Sequence, residues 1–334
     1  MIQLRHMVAK GDFRLDVDVE IPDTGITGVF GESGSGKTTL LRCIAGLEQG
    51  GGLPAHQRNV GYVFQQPTLF PHLSVWDNIQ YGARRARTRR MDTEKVVDML
   101  DIGGLLDREP RSLSGGEAQR VAIAAALLRS PDLVLMDEPL ASLDRDRRDR
   151  LLPYFDRLHD ELPVPIIYVS HDIEEVSRLC DHLVLLDAGK VAASGDLFDV
   201  LVRTNVPMLS GRNAGVVIWA TPVDHEDGLT KFDFADGDIW APGEFETGRN
   251  PLRLRIAASD VSITRERPVH TTILNVLRAT VEKIWAVDDA AALVRLSIGN
   301  QDLLARVTNR SVKRLELREG ERVFAQVKSV TVKH

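Results

Sequence analysis

Residues 31–39 read GESGSGKTT, and the fold turns on how they are read. Gly31 is followed by four residues and then Gly36-Lys37-Thr38, the spacing of a phosphate-binding loop. Glycines let backbone N–H groups turn inward and form a nest for phosphate oxygens. A helix starting at Lys37 points its positive dipole end at the same anion. Lys37 reaches the β and γ phosphates of a bound nucleotide, and the Thr38 hydroxyl suits Mg²⁺. The cradle therefore comprises Gly31, Glu32, Ser33, Gly34, Ser35, Gly36, Lys37, Thr38 and Thr39. Upstream, Gly25–Phe30 is a short apolar run, as a buried strand should be; downstream, Thr39, Leu40, Leu41, Ile44 and Leu47 give a helical period. A Gly/Ser surface loop would not explain a Lys-Thr pair at that offset.

Further out, Phe13–Glu20 alternates strictly, which with Ile2–Arg5 predicts an antiparallel hairpin with one wet face. Phe13 precedes the loop and suits stacking on a base, although core packing is the commoner fate of such a ring. Val60–Phe64 reads as a buried strand, and Gln65 at its end suits Mg²⁺ or the attacking water. Leu69–Leu73 is apolar and broken by proline, either a knob for a partner or a buried turn. RRARTRR, residues 84–90, reads as a solvated helix face, with anionic lipid heads as the other reading. Residues 92–108 read as a helix ending near Gly103-Gly104. Ser114 and Glu117 form an S-x-x-E capping box, and the glycines between them suggest close approach by another group. Leu133–Glu138 reads as a buried strand of a parallel sheet, ending in two acids at the edge where such sheets bind ligands. There Asp137 suits Mg²⁺ and Glu138 the polarising of water. Ala141-Ser142-Leu143-Asp144 follows; His171 ends the next strand, and 184–191 reads as a closing hairpin.

The whole chain bounds these readings. Its 334 residues favour about two domains. A hydrophobic content of 43% with 27% charged residues fits an ordinary core, and the net charge of −6 argues against a general nucleic-acid binder. Cys43 and Cys180 lie far apart without ligand spacing, which favours a reducing compartment. The first residues lack the apolar core of a secretion signal, and no run approaches the ~20 residues that cross a bilayer. A membrane role is expected to come through a partner.

In order, GESGSGKT, the Gln65 segment, LSGGE, LVLMDE, ASLD and His171 resemble the nucleotide-binding subunit of ATP-binding-cassette (ABC) transporters over residues 1–208. LSGGE with the adjoining Gln119 and Arg120 is the most specific of these. The resemblance implies an α/β P-loop NTPase with a helical subdomain, and two chains paired head to tail around two ATP molecules. The loop of one chain would face Ser114 and Gly116 of the other, with Asp144 linking the sites across the interface. Glu138 would be the catalytic base, His171 would contact the γ-phosphate, and Gln65 would couple the site to a membrane permease. A groove near Phe70–Trp76 would receive a helix of that permease. This places the chain at the cytoplasmic face of the membrane, served indirectly by a periplasmic or surface oxyanion-binding protein.

Residues 209–265 contain short alternating strands and connect to the tail. Residues 266–334 resemble the Mop-type (TOBE) module that ends molybdate importer ATPases, a small all-β, OB-like barrel. Its oxyanion-binding positions match Thr272, Asn275, Lys328 and Ser329. The implied substrate is molybdate or tungstate, with sulfate, ferric ion or sugar import, or a non-transport ABC ATPase, as alternatives. Two departures stand out. The family usually carries an extra strand pair where this chain has only about a dozen residues, Glu48–Asn59, and Ala125 stands where an arginine is frequent.

Overall fold

The computed structural model describes all residues except 49–52, 85, 87–90, 142, 202–213, 236, 249–250 and 333–334. Most of the RRARTRR run and Ser142 therefore lie outside the described residues. The chain forms two compact units, Met1–Gly195 and Asp196–His334.

The first unit is built on eight strands: β1 (Ile2–Lys10), β2 (Phe13–Ile21), β3 (Ile26–Phe30), β4 (Val60–Val63), β5 (Leu133–Asp137), β6 (Ile166–Ser170), β7 (His182–Asp187) and β8 (Lys190–Asp196). They lie in the order β1-β2-β8-β7-β3-β6-β5-β4. β3, β5 and β6 are buried at every position because helices cover both faces of this parallel region. β1 and β2 pair antiparallel, and β2 keeps the expected alternation with Leu15, Val17 and Val19 inside. β3, β4, β5 and β6 run parallel and thus end at one edge, where the loops carrying Gly31–Gly36, Gln65, Glu138 and His171 emerge.

Helix α1 (Lys37–Ile44) buries Leu40, Leu41, Cys43 and Ile44 against Leu15, Val29, Leu135 and Val169. No strand occurs between Glu48 and Asn59 among the described residues, only a 3₁₀ turn at Ala55–Gln57. Arg58 follows it. Its guanidinium donates to the carbonyls of Leu53 at 2.5 Å, Cys43 at 2.8 Å and Ile44 at 2.6 Å, closing the C-terminal end of α1.

Helices α2 (Val75–Ala83), α3 (Thr93–Met99) and α4 (Gly115–Leu127) form the helical region; α5 (Arg145–Glu161) and α6 (Ile173–Leu179) return to the sheet. The helix expected over 92–108 is shorter: it stops at Met99, and Gly103–Leu105 is a separate 3₁₀ turn. Asp101 takes a positive φ of 47°, which no helix tolerates, and Ile102 then turns inward to full burial.

The second unit comprises α7 (Leu197–Leu201), β9 (Gly215–Glu226), β10 (Leu229–Phe234), β11 (Gly237–Pro242), β12 (Leu252–Ala257), β13 (Val261–Thr264), β14 (Asn275–Ala286), β15 (Ala291–Ile298), β16 (Gln301–Thr308), α8 (Asn309–Arg314), β17 (Arg322–Val327) and β18 (Thr331–Val332). Its two antiparallel sheets run β11-β10-β9-β12-β18 and β13-β17-β14-β15-β16. Apolar residues from β9–β13 and from β14–β17 enter a single core, among them Ile218, Phe232, Leu254, Val281, Leu296 and Val323. Residues 215–264 are thus interleaved with the tail.

Candidate functional site

The phosphate loop needs glycine at two positions for backbone reasons. Gly34 and Gly36 hold φ of 85° and 103°, and a Cβ on Gly36 would also lie 2.7 Å from the Phe13 ring. Lys37, at the first turn of α1, is 5% exposed. Its ammonium donates to the Gly31 carbonyl at 2.8 Å and to the Glu32 carbonyl at 3.0 Å, and lies 3.9 Å from Glu138 Oε1. Burial pulls the Lys37 pKa below its ordinary 10.5, against the opposing pull of Glu138 and Asp137. Phe13, Ser33, Gly34, Gly36, Lys37, Thr38, Thr39 and Glu138 line a cleft of about 340 Å³. Ser35 faces inward, and its Oγ is buried without a hydrogen bond.

At the end of β5 the two acids take different surroundings. Thr38 Oγ1 donates to Asp137 Oδ1 at 3.0 Å, and the Tyr62 hydroxyl donates to Asp137 Oδ2 at 3.0 Å. Burial raises the Asp137 pKa, and these two hydrogen bonds work against that rise. Glu138 sits in the left-handed region at φ 48°, so its side chain leaves the strand direction and turns toward the loop. Its Oε2 is 3.0 Å from His171 Nδ1. Phe13, Lys37, Thr38 and Glu138 therefore line one cleft, and Asp137 and His171 are joined to it through Thr38 and Glu138.

The donor set fits a magnesium ion. It offers one carboxylate and one hydroxyl, hard oxygens of the kind that hold Mg²⁺ together with substrate phosphates. No cluster of three or more His, Cys, Asp or Glu suited to a metal occurs among the described residues.

Gln65 is exposed two residues beyond β4, at the same sheet edge, and is not bonded to this cluster. Ser114 caps α4: its Oγ accepts from Glu117 N at 3.4 Å while Ser114 N donates to Glu117 at 2.7 Å, so the capping box is present. Gly116 follows in the first turn of that helix. Asp144 is exposed and caps α5, accepting from Arg147 N at 2.9 Å. None of these four residues lines the cleft of its own chain.

Three features were not singled out in the sequence. Tyr62 has been placed above. Arg58 sits in a loop of no recognisable pattern. The third is a network in which the Glu175 carboxylate accepts from Tyr168 and Ser170 and meets Arg148 at 3.2 Å, while Arg148 also pairs with Asp172. It ties the strand end carrying His171 to the helix capped by Asp144. The periodicity of α5 and α6 gave no hint of it, because these polar groups sit among core positions.

An apolar groove of about 350 Å³ is lined by Tyr62, Phe64, Leu69, Phe70, Tyr81 and Ala125, among others. In the second unit, Thr272, Asn275, Lys328 and Ser329 line one cavity of about 420 Å³ with Trp240 and Pro242. Asn275, however, is buried with its amide occupied: Oδ1 accepts from Trp240 N at 2.7 Å and Nδ2 donates to Trp240 O at 2.9 Å. Its side chain joins β14 to β11, which leaves Thr272, Lys328 and Ser329 as the polar groups facing the cavity.

Comparison with known proteins accounts for this arrangement. The family model described as ABC transporter matches residues 15–141, and that of the TOBE domain matches residues 271–333. Over 99% of its length the chain is 46% identical to the molybdenum import ATP-binding protein ModC 1 of Azotobacter vinelandii, covering 98% of that protein. The chain belongs to the ABC transporter family, in the group of molybdenum import ATP-binding proteins. Identity is also 46% to ModC of Methylococcus capsulatus, over 99% of each protein. The fold of the cassette is that of cbiO1 from Clostridium perfringens, with a TM-score of 0.53 and 24% identity over 61% of this chain and 92% of that one. The dimeric bacterial ABC transporter cassette MJ0796 gives a TM-score of 0.50 and 25% identity over 59% of this chain and 99% of its own. No helix of this cassette protein is long and apolar enough to cross a membrane, among the described residues.

Proposed function

We propose that this chain hydrolyses ATP to drive molybdate or tungstate import through a membrane permease. The observation that carries the chemistry is the convergence of Lys37, Thr38–Asp137 and Glu138–His171 on one cleft. ATP lies with its phosphates in the Gly31–Thr39 loop and its base toward Phe13. Lys37 leaves the carbonyls of Gly31 and Glu32 for the β and γ phosphates. Thr38 and Asp137 would hold magnesium, which when bound would neutralise charge on the phosphate oxygens. Glu138 orients a water and takes its proton as the water oxygen bonds to the γ-phosphorus. The bond from that phosphorus to the bridging oxygen breaks, giving ADP and phosphate. His171 holds the Glu138 carboxylate and faces the γ-phosphate.

Two copies pair head to tail. Ser114 and Gly116 of each cover the phosphates bound by the other, and this accounts for their absence from the cleft of their own chain. Asp144 links the sites, and Gln65 reports on the permease. A cytoplasmic helix of the permease occupies the apolar groove beside Phe70, which holds the cassette peripherally on the cytoplasmic face. No nucleic acid is involved, and an external oxyanion-binding protein supplies the permease. Within the tail, Thr272, Lys328 and Ser329 bind the oxyanion and Asn275 shapes the cavity, so residues 266–334 act as a sensor built onto strands of 209–265. The sites on 1–208 are the engine.

The test is Glu138→Gln, which removes the proton acceptor and keeps the shape. ATP binding persists, steady hydrolysis falls about a thousandfold, the scale of losing a catalytic base with its electrostatic role, and an ATP-bound dimer accumulates on gel filtration. Wild-type turnover would remove Glu138 from its role. Calorimetric titration of the full chain with molybdate, tungstate and sulfate tests the tail: heat with the first two and none with sulfate supports the substrate assignment.

A further inference from the structure

Tyr62 reaches the phosphate site from a strand that carries no motif. It pairs with Leu135 in the parallel register of β4 and β5. Side chains alternate along a strand, so Tyr62, Leu135 and Asp137 share one face, the face that α1 covers. From there the ring is long enough to bring its hydroxyl to Asp137 Oδ2 at 3.0 Å. Thr38, from α1, takes the other oxygen at 3.0 Å. The two carboxylate oxygens are therefore held by donors from two separate elements, which fixes the rotation of the carboxylate plane. The bond from Tyr62 does not compete for Oδ1, the oxygen beside the Thr38 hydroxyl. The remainder of the ring packs on Phe64, with centroids 4.3 Å apart, and lines the apolar groove.

We propose that Tyr62 is a positioning residue for the magnesium-binding carboxylate: its hydroxyl orients Asp137 so that Oδ1 is presented to the metal. This rests on the reading of Asp137 and Thr38 as the magnesium ligands. A carboxylate free to rotate must be ordered each time the metal binds; one already held by a neutral donor on its far oxygen is not. Groups that orient a metal ligand in this way typically change metal affinity about tenfold or more when removed.

The test uses the full-length chain and adenylyl imidodiphosphate, titrated calorimetrically with saturating Mg²⁺ and again with EDTA. The ratio of the two dissociation constants isolates the metal's contribution and needs no turnover. Tyr62→Phe keeps the ring and removes only the hydroxyl. It should leave affinity in EDTA unchanged, lower the melting temperature slightly through the hydrogen bond lost at a buried carboxylate, and shrink the Mg²⁺-dependent gain about tenfold. Tyr62→Leu should show the same shrinkage with an added loss of melting temperature from the missing ring. Thr38→Ala, run alongside, should abolish most of the gain. A Tyr62→Phe protein with the wild-type ratio, beside a Thr38→Ala protein that has lost it, makes Tyr62 a packing residue and overturns the proposal. Equal weakening with and without Mg²⁺ overturns it as well. A full gain in Thr38→Ala overturns the magnesium reading beneath it, and the proposal with it.

Discussion

Arg58→Ala should loosen the phosphate-binding helix from its far end. The guanidinium donates to the Cys43 and Ile44 carbonyls, the last turn of α1, and to Leu53. These carbonyls lack the i+4 donor of the helix interior, Cys43 O accepting instead from Gly46 N at 3.0 Å, and the cation also meets the negative end of the helix dipole. Because the group is half-buried, each of the two helix contacts is worth roughly 1 kcal/mol, below the range for a fully buried charged donor. The dipole adds about 0.5 kcal/mol. The sum is about 2.5 kcal/mol. For a unit of this size each kcal/mol moves the midpoint by ~2–4 °C, so the cassette transition should fall by about 5–10 °C. Arg58→Lys keeps the charge and loses the planar fork, and should recover less than half of the loss. Differential scanning calorimetry of the full chain gives the midpoint, and hydrogen exchange over 37–48 locates the effect. A midpoint within about 2 °C of wild type, with unchanged exchange in that segment, would refute the capping argument.

Gly36→Ala should cost nucleotide affinity at least tenfold, because a φ of 103° strains any Cβ by about 1–2 kcal/mol and the Phe13 ring must also move; fluorescence titration with a labelled nucleotide reads it. Asn275→Ala should destabilise the second unit by about 2 kcal/mol, since it orphans both the N–H and the C=O of Trp240, whereas Lys328→Ala should leave the melt unchanged and abolish the heat of molybdate binding. Glu175 provides a pH test. Burial raises its pKa above the ordinary 4.5, outweighing the hydrogen bonds from Ser170 and Tyr168 and the charge of Arg148. A carboxyl raised on folding stabilises fully below its unfolded pKa, and that contribution is lost as pH climbs through the folded value. The stability of Glu175→Gln relative to wild type should therefore improve as pH rises from about 4.5, measured by urea midpoints across the range. A flat difference would show that Glu175 does not titrate as argued.

The engine was legible in the sequence where chemistry forces neighbours together. A phosphate nest needs consecutive backbone groups, so Gly31–Thr38 is a contiguous word. Asp137, Glu138 and His171 were legible because buried parallel strands run as apolar blocks and the first two polar residues after each block lie at the ligand edge. Tyr62 was hidden for the converse reason: inside such a block, composition does not report which face a residue takes, and only the register with β5 puts it beside Asp137. Arg58 was hidden because its partners are carbonyls, which leave no trace in side-chain patterns. The resemblance made Asn275 an expected oxyanion ligand, but a buried amide goes to whichever backbone groups lie unpaired nearby, and Trp240 supplied them. The helix expected to reach 108 failed on Asp101, whose left-handed backbone no periodicity count detects.

The interleaved core of the second unit has a practical corollary for anyone who cuts the chain. β13 pairs with β17 and β12 with β18, across the exposed stretch of 265–274. A fragment beginning at 266 would thus leave behind the strands that cover β17 and β18 and the Trp240 backbone that holds Asn275. It would present raw sheet edges to solvent and to its own copies. A protease nick between 265 and 274 is a different matter: the two pieces should stay associated and co-elute, separating only in denaturant. The compact unit to excise begins at Asp196.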